Sequence, residues 1–253
     1  MAIGAGQIIL RYYQKNYQIR DKSFDNPVTT ADVEADHYLR KMLIGEFPND
    51  GWLSEETEDA PERLTKRRVW IVDPLDGTRE FINCRPEFAV SIALTENSLP
   101  VVGVIYNPIT EELFTTTRGG AGRFNGNLLQ CSTESNLSNA TLCVSRSETA
   151  AGLWNEYQHL FQKRFICGGT VNKMAHTATG HCDLYISLKP KNEWDICAGD
   201  LLIQTAGGMV LNGNLEKPTY NHPNPLVPKG IIAGSVPLVA KTKHIFHQNQ
   251  NNP

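Results

Sequence analysis

Trp70-Ile71-Val72-Asp73-Pro74-Leu75-Asp76-Gly77-Thr78-Arg79-Glu80-Phe81 is the stretch that organises the chain. The run from Val69 to Val72 is short and unbroken in apolar residues, the pattern of a buried strand, and it ends at Asp73. The strand therefore delivers two aspartates, three residues apart, into a tight turn built with Pro74 and Gly77. Carboxylates at the edge of a core need a partner, and a hard divalent cation is one. Pro74 fixes the backbone so that the Leu75 carbonyl can aim at the same ion. Gly77 and Thr78 open a helix whose free N–H groups suit a phosphate. Taken alone, the same residues also make an ordinary Asp-Pro-x-Asp-Gly surface turn.

On the N-terminal side, residues 2 to 17 read as an opening helix. A second helix follows Thr29 and Thr30, either of which can cap it, with Ala35, Leu39, Met42 and Leu43 at helical spacing and Pro48-Asn49-Asp50-Gly51 as its stop. Downstream, Phe88 to Leu94, Val101 to Tyr106 and Leu113 to Thr116 follow one another across turn residues, as in an antiparallel meander. After about residue 138 the elements alternate: strand 141–145, helix near 150–163, helix 171–179, strand 183–187, helix 195–206 and strand 230–234. This predicts a layered α/β architecture in two halves. Residues 1–138 carry the meander and most of the candidate ligands, and residues 139–253 form the second half. The tail from His247 to Pro253 reads as disordered.

Bulk properties narrow the functional classes. The 253 residues suffice for a sizeable core, and 40% hydrophobic with 20% charged residues fits a globular chain. A net charge of −3 provides no field for a nucleic acid polymer, so an anionic ligand must be held by local cations or metal ions. No apolar run is long enough to span a membrane, and the N-terminus has no signal-peptide pattern. The six cysteines (84, 131, 143, 167, 182 and 197) form no CxxC pair, which predicts reduced thiols in a cytoplasmic protein. There is no Gly-x-Ser-x-Gly elbow or Walker loop, and the seven histidines, His176 and His181 included, make no zinc pattern.

Three further segments bear on Asp73 and Asp76. Leu53-Ser54-Glu55-Glu56 sets two acids after an apolar residue, although such a pair is commonly a solvated face. Thr29-Thr30-Ala31-Asp32 puts an acid in a first helical turn, where the helix dipole alone would favour it. Asn192-Glu193-Trp194-Asp195 precedes a helix that stops at Gly207-Gly208, and Asp195 there also serves as an N-cap candidate.

In their order, Pro27-Val28-Thr29-Thr30-Ala31-Asp32, Ser54-Glu55-Glu56, Asp73-Pro74-Leu75-Asp76-Gly77-Thr78 and Trp194-Asp195 with Ala206-Gly207-Gly208 resemble the inositol monophosphatase superfamily, over residues 22 to 208. The resemblance implies an αβαβα sandwich of the inositol monophosphatase and sugar phosphatase type. It also implies a phosphomonoesterase that binds two or three Mg²⁺ ions and acts on a small phosphorylated metabolite. Carried onto this chain, Glu55, Asp73 and the Leu75 carbonyl would hold one ion, and Asp73, Asp76 and Asp195 a second. Thr78, hydrogen-bonded to Asp32, would orient the attacking water with help from Glu55, while the Gly77 and Thr78 N–H groups hold the phosphate. A homodimer and lithium competition are family expectations as well.

For the substrate, Asp76-Gly77-Thr78-Arg79-Glu80-Phe81 and Val144-Ser145-Arg146-Ser147 look like the elements of bacterial 3′(2′),5′-bisphosphate nucleotidases, and Lys173 falls where those enzymes carry a lysine. Arg146, Gly169, Thr170 and Lys173 are the candidate substrate contacts, with the two cations aimed at a second phosphate. Arg146 and Lys173 also read as plain surface residues. Glu148 stands where a histidine is usual, and Gly168-Gly169-Thr170 replaces Gly-Ser-Ser. The alternatives are an inositol-1-phosphate phosphatase, a fructose bisphosphatase, or a non-catalytic metal-binding homologue.

Overall fold

Alternation along Val69–Val72 sends Val69 and Ile71 to one face of a sheet and Trp70 and Val72 to the other, and both faces are buried in separate cores. The computed structural model describes residues 1–23 and 26–249 and stacks its layers outward from this doubly buried strand. In chain order the first half comprises α1 (Ala2–Leu10), the hairpin β1 (Ile19–Ser23) and β2 (Asn26–Thr29), α2 (Thr30–Glu46), β3 (Gly51–Ser54), β4 (Arg68–Asp76) and α3 (Thr78–Ile82). It continues with β5 (Ala89–Glu96), β6 (Leu99–Asn107), β7 (Glu112–Thr117), β8 (Arg123–Phe124) and β9 (Asn127–Leu128). Strands β3 to β9 form one seven-stranded sheet in sequence order. β3 runs parallel to β4, and the rest of the sheet is the expected antiparallel meander.

The remainder comprises β10 (Thr141–Ser145), α4 (Arg146–Ala150), β11 (Lys163–Cys167), α5 (Thr170–Ala178), β12 (Leu184–Ser187), β13 (Lys191–Asn192) and α6 (Glu193–Thr205). β14 (Met209–Asn212), β15 (Leu226–Val227), β16 (Ile231–Gly234) and α7 (Val236–Asn249) complete it. A five-stranded sheet has the order β11-β10-β12-β16-β14.

Three cores bind the layers. Ala5, Ile9, Ala35 and Leu39 of α1 and α2 pack on Trp70, Val72 and Val90 of the first sheet. Its opposite face, with Ile71, Ala93 and Ile105, shares a core with Val171 and Met174 of α5, Ile196 and Leu202 of α6, and Cys143, Tyr185 and Ala233 of the second sheet. The outer face of that sheet, with Leu142, Leu184 and Ile232, is covered by Leu238 and Val239 of α7 and by Trp154. Helix, sheet, helix, sheet and helix follow one another, as expected.

Some elements differ from the sequence reading. The opening helix ends at Leu10 rather than near residue 17. Gln14 is left-handed (φ 58°), and Tyr13 and Tyr17 turn in to pack on Phe81, with ring centroids 5.7 and 5.1 Å away. No helix spans 150–163: Gly152 at φ 74° stops α4, and Trp154 leaves the helical path to bury its indole, whose Nε1 donates to Glu148 at 3.1 Å. The expected disordered tail is helical through Asn249, and its residues 250–253 lie outside the described ones.

All six cysteines are free thiols; Cys84, just past α3, is the exposed one. Among the described residues no helix is long and apolar enough to cross a membrane.

Candidate metal centre

In a regular strand, residues three apart face opposite ways, so Asp73 and Asp76 would diverge. The β4–β5 pairing prevents this. Asp73 lies opposite Ser91 and Asp76 opposite Ala89, so Pro74 and Leu75 together face Val90 alone. The extra residue is a bulge, and it returns both carboxylates to the side of the sheet covered by α5 and α6. Pro74, without an N–H, costs no ladder bond there. Gly77 then takes φ 91°, and a Cβ on it would stand 2.8 Å from the Glu87 carbonyl, so the turn requires glycine.

Carboxylate oxygens of Glu55, Asp73 and Asp195 come within 4.8 Å of one another. Glu55 follows β3, Asp73 lies at the bulge within β4, and Asp195 sits in the first turn of α6. Its Oδ2 accepts from the Asn192 N–H at 2.8 Å, so Asn192 is the cap. Asp76 belongs to the same wall but points to α5, where its oxygens accept from the N–H groups of Thr170 at 3.1 Å and Val171 at 2.9 Å. Gly169 makes room for this: a Cβ there would lie 2.6 Å from Asp76 Oδ2. The Thr78 hydroxyl donates to Asp32 at 2.9 Å and lies 3.2 Å from the Leu75 carbonyl. Asp32 is fixed in turn by the Thr29 N–H at 2.8 Å and the Thr29 hydroxyl at 2.5 Å.

The candidate substrate contacts are engaged elsewhere in the protein. Arg146 Nη2 grips both Glu87 oxygens, at 2.5 and 2.7 Å. Lys173 is buried, donates to the Gly169 carbonyl and lies 5.6 Å from the Tyr185 ring. The Thr170 N–H is occupied by Asp76, as described above.

Three other residues went unassigned in the sequence. Lys22 of β1 bonds Glu55 at 2.7 Å and Glu56 at 2.8 Å, a contact no local pattern announces. Asp36, one turn beyond Asp32 on α2, accepts from the hydroxyls of Ser54 and Thr57, both at 2.5 Å, and so straps down the turn that carries Glu55. Its i, i+4 spacing from Asp32 was the available signal. Lys191 precedes the α6 cap.

Electrostatics show what the cluster lacks. Burial, and then the charges of Glu55, Asp76 and Asp195, hold the Asp73 carboxyl well above the usual range. Burial followed by Glu55 and Asp76 pushes Asp195 up to about 7, and burial with Glu55 takes Glu56 to about 7. Asp76 rises to about 6 through burial, opposed by Lys173. Burial also opposes the charge on Lys22, yet Glu55 and Glu56 keep its ammonium protonated beyond the usual lysine range. The ammoniums of Lys22, Lys173 and Lys191 are outnumbered by the acids Glu55, Glu56, Asp73, Asp76 and Asp195, which leaves negative charge uncompensated. An all-oxygen donor set with excess charge fits a hard divalent cation.

A pH dependence follows. These acids bind protons more tightly folded than unfolded, so the metal-free protein loses stability as pH rises from about 4 to about 7. Its melting temperature is expected to be higher at about pH 5.5 than at about pH 7.5. Saturating Mg²⁺ should raise the pH 7.5 value the more, because the ions compete with protons for the same oxygens. Thermal melts at the two pH values, with and without Mg²⁺, check this.

The model of the inositol monophosphatase family matches residues 1–250. The chain belongs to the inositol monophosphatase family. With that membership goes a metal-dependent hydrolysis of phosphoric monoesters, and small phosphorylated metabolites as its substrates. The 3′(2′),5′-bisphosphate nucleotidase CysQ of Aggregatibacter actinomycetemcomitans is 32% identical, over 97% of this chain and 93% of its own length. Inositol monophosphatase 3 of Solanum lycopersicum is 32% identical, over 82% of this chain and 81% of its own. Among solved structures, the extragenic suppressor protein suhB of Bartonella henselae superposes with a TM-score of 0.83 at 29% identity, covering 97% of this chain and 95% of that one. These family likenesses confirm the layered sandwich and the reaction class.

Proposed function

We propose that this phosphatase is a magnesium-dependent 3′(2′),5′-bisphosphate nucleotidase that converts adenosine 3′,5′-bisphosphate to AMP and phosphate. The observation that carries the chemistry is the convergence of Glu55, Asp73 and Asp195. In this reading these three, with Asp76 and the Leu75 carbonyl, hold two or three Mg²⁺ ions. When bound, Mg²⁺ activates water and neutralises charge on the leaving oxygen.

The chain's own groups do the rest. The Thr78 hydroxyl donates to Asp32, which leaves its lone pairs free to accept from a water beside Glu55. Asp32, raised to about 6 by burial against the hydrogen bonds of Thr29 and Thr78, is poised to take a proton near neutral pH. The water oxygen bonds to phosphorus as the P–O3′ bond breaks, and the proton leaves on the sugar oxygen. The Gly77 and Thr78 N–H groups hold phosphate oxygens. Arg146 and Lys173, tied to Glu87 and Gly169, brace the wall beneath the substrate.

Support for a nucleotide substrate is the Asp-Gly-Thr-Arg-Glu-Phe run together with the near full-length match to a nucleotidase. The equal identity of the tomato enzyme favours inositol 1-phosphate as a second reading. The reading also carries a cytoplasmic homodimer inhibited by lithium. Mg²⁺-dependent phosphate release from adenosine 3′,5′-bisphosphate is expected to exceed that from inositol 1-phosphate at least about tenfold in kcat/KM, a 1.4 kcal/mol preference. Equal or reversed rates would return the substrate to inositol phosphate.

A further inference from the structure

The cations whose charge reaches the carboxylate cluster differ in what they already hold. Lys22 is paired with Glu55 and Glu56, and Lys173 bonds the Gly169 carbonyl. Arg146, the other candidate for a second phosphate, is clamped by Glu87. Lys191 has no ion pair within 4 Å among the described residues, and its ammonium has only the Pro190 carbonyl, at 3.3 Å. It is half-buried, and its charge acts on Asp195 and Asp76 at the centre.

The backbone around Lys191 is pinned on both sides. Before it, the fully buried Glu148 accepts from the Ser187 hydroxyl at 2.6 Å and from the N–H groups of Leu188 and Lys189 at 3.4 and 3.2 Å. At its own position it pairs with Val227 of β15, and after it Asn192 N–H bonds Asp195 while Glu193 N–H bonds the Pro225 carbonyl at 2.9 Å. The stem of Lys191 thus starts from a fixed point four residues before a metal-centre acid. The ammonium, whose one bond lies at the surface, keeps donors free, and an anion would supply the counter-charge they need. A divalent cation on Asp195 would offset the pull that this acid exerts and deepen the need.

We propose that Lys191 is the specificity residue that receives the second, non-reacting phosphate of a bisphosphate substrate. The proposal rests on the nucleotidase reading above and assigns the subsite that distinguishes such a substrate from a monophosphate. A dianionic phosphate supplies the missing counter-charge, and a preorganised lysine binds it as a point charge.

The test compares the wild-type protein with Lys191→Met and Lys191→Arg on adenosine 3′,5′-bisphosphate and adenosine 3′-monophosphate. Mg²⁺ binding and melting temperature are measured alongside. Removal of a charge-assisted contact is expected to lower the kcat/KM ratio of bisphosphate to monophosphate about 10- to 100-fold in Lys191→Met, with most of that ratio kept in Lys191→Arg. A wild-type preference for the bisphosphate that survives Lys191→Met overturns the Lys191 assignment and leaves the nucleotidase reading intact. Parallel loss on both substrates with weakened Mg²⁺ binding also overturns it, because Lys191 then acts through Asp195. A wild-type protein with no bisphosphate preference defeats the nucleotidase reading first, and this proposal with it.

Discussion

Asp73→Asn should lower kcat by on the order of 10³-fold or more while leaving a folded protein. A metal's stabilisation of the transition state amounts to several kcal/mol, and each 1.36 kcal/mol is a decade in rate. Asparagine has nearly the shape of aspartate, and its carbonyl oxygen can still accept the Leu75 N–H that Asp73 Oδ1 takes at 3.0 Å. What disappears is one of the three converging charges. The second half of the prediction has the opposite sign. Asp73 is buried among like charges, so without metal its removal relieves repulsion, and the metal-free variant should melt later than the wild type. The expected shift is a few degrees, at about 2–4 °C per kcal/mol for a chain of this size. Calorimetry with and without Mg²⁺ checks both halves. A variant that melts early without metal would show Asp73 to be a structural residue, and retained turnover would remove it from the metal centre.

Thr78→Ala is expected to reduce kcat by about 10²- to 10³-fold with little change in KM, in the lower part of the range of about 10²- to 10⁴-fold for a positioned proton-transfer group. The hydroxyl links Asp32 on α2 to the turn after β4, so its loss leaves Asp32 without its connection to the water site. Thr78→Ser, which keeps the oxygen, should recover most of the rate. If Thr78→Ser is as slow as Thr78→Ala, the methyl group and not the hydroxyl matters, and the proton path through Asp32 is wrong.

The sequence shows local chemistry well and tertiary partnership poorly. The strand at Val69–Val72 was legible because four apolar residues in a row leave few other solutions, and the meander because each strand is bounded by turn residues. The hairpin β1–β2 was missed because Arg20, Asp21 and Lys22 offer no alternation to either face. β11 was missed because Lys163 and Arg164 hide an edge strand. Gly152 and a buried Trp154 overrode the helical spacing expected near 150–163.

At the site, Asp73, Asp76 and Thr78 lie within one short motif, so their proximity follows from the chain itself. Glu55 and Asp195 arrive from other elements and became legible through the family resemblance. No such pattern covers Lys22, Asp36 and Lys191. For Arg146 and Lys173 the charge was visible, but Glu87 and Gly169 as their partners were not. A cation's role depends on what already holds it.

The arrangement of the thiols has a practical consequence. Five cysteines are sealed in the cores, while Cys84 stands in solvent at the far end of α3, the helix that Thr78 begins. A maleimide dye should therefore attach at one position in the native protein without any cysteine being engineered away. A fluorophore there would sit two residues beyond the short helix that Thr78 begins. A change in its emission on mixing with substrate is the expected sign that binding reaches this end of the helix.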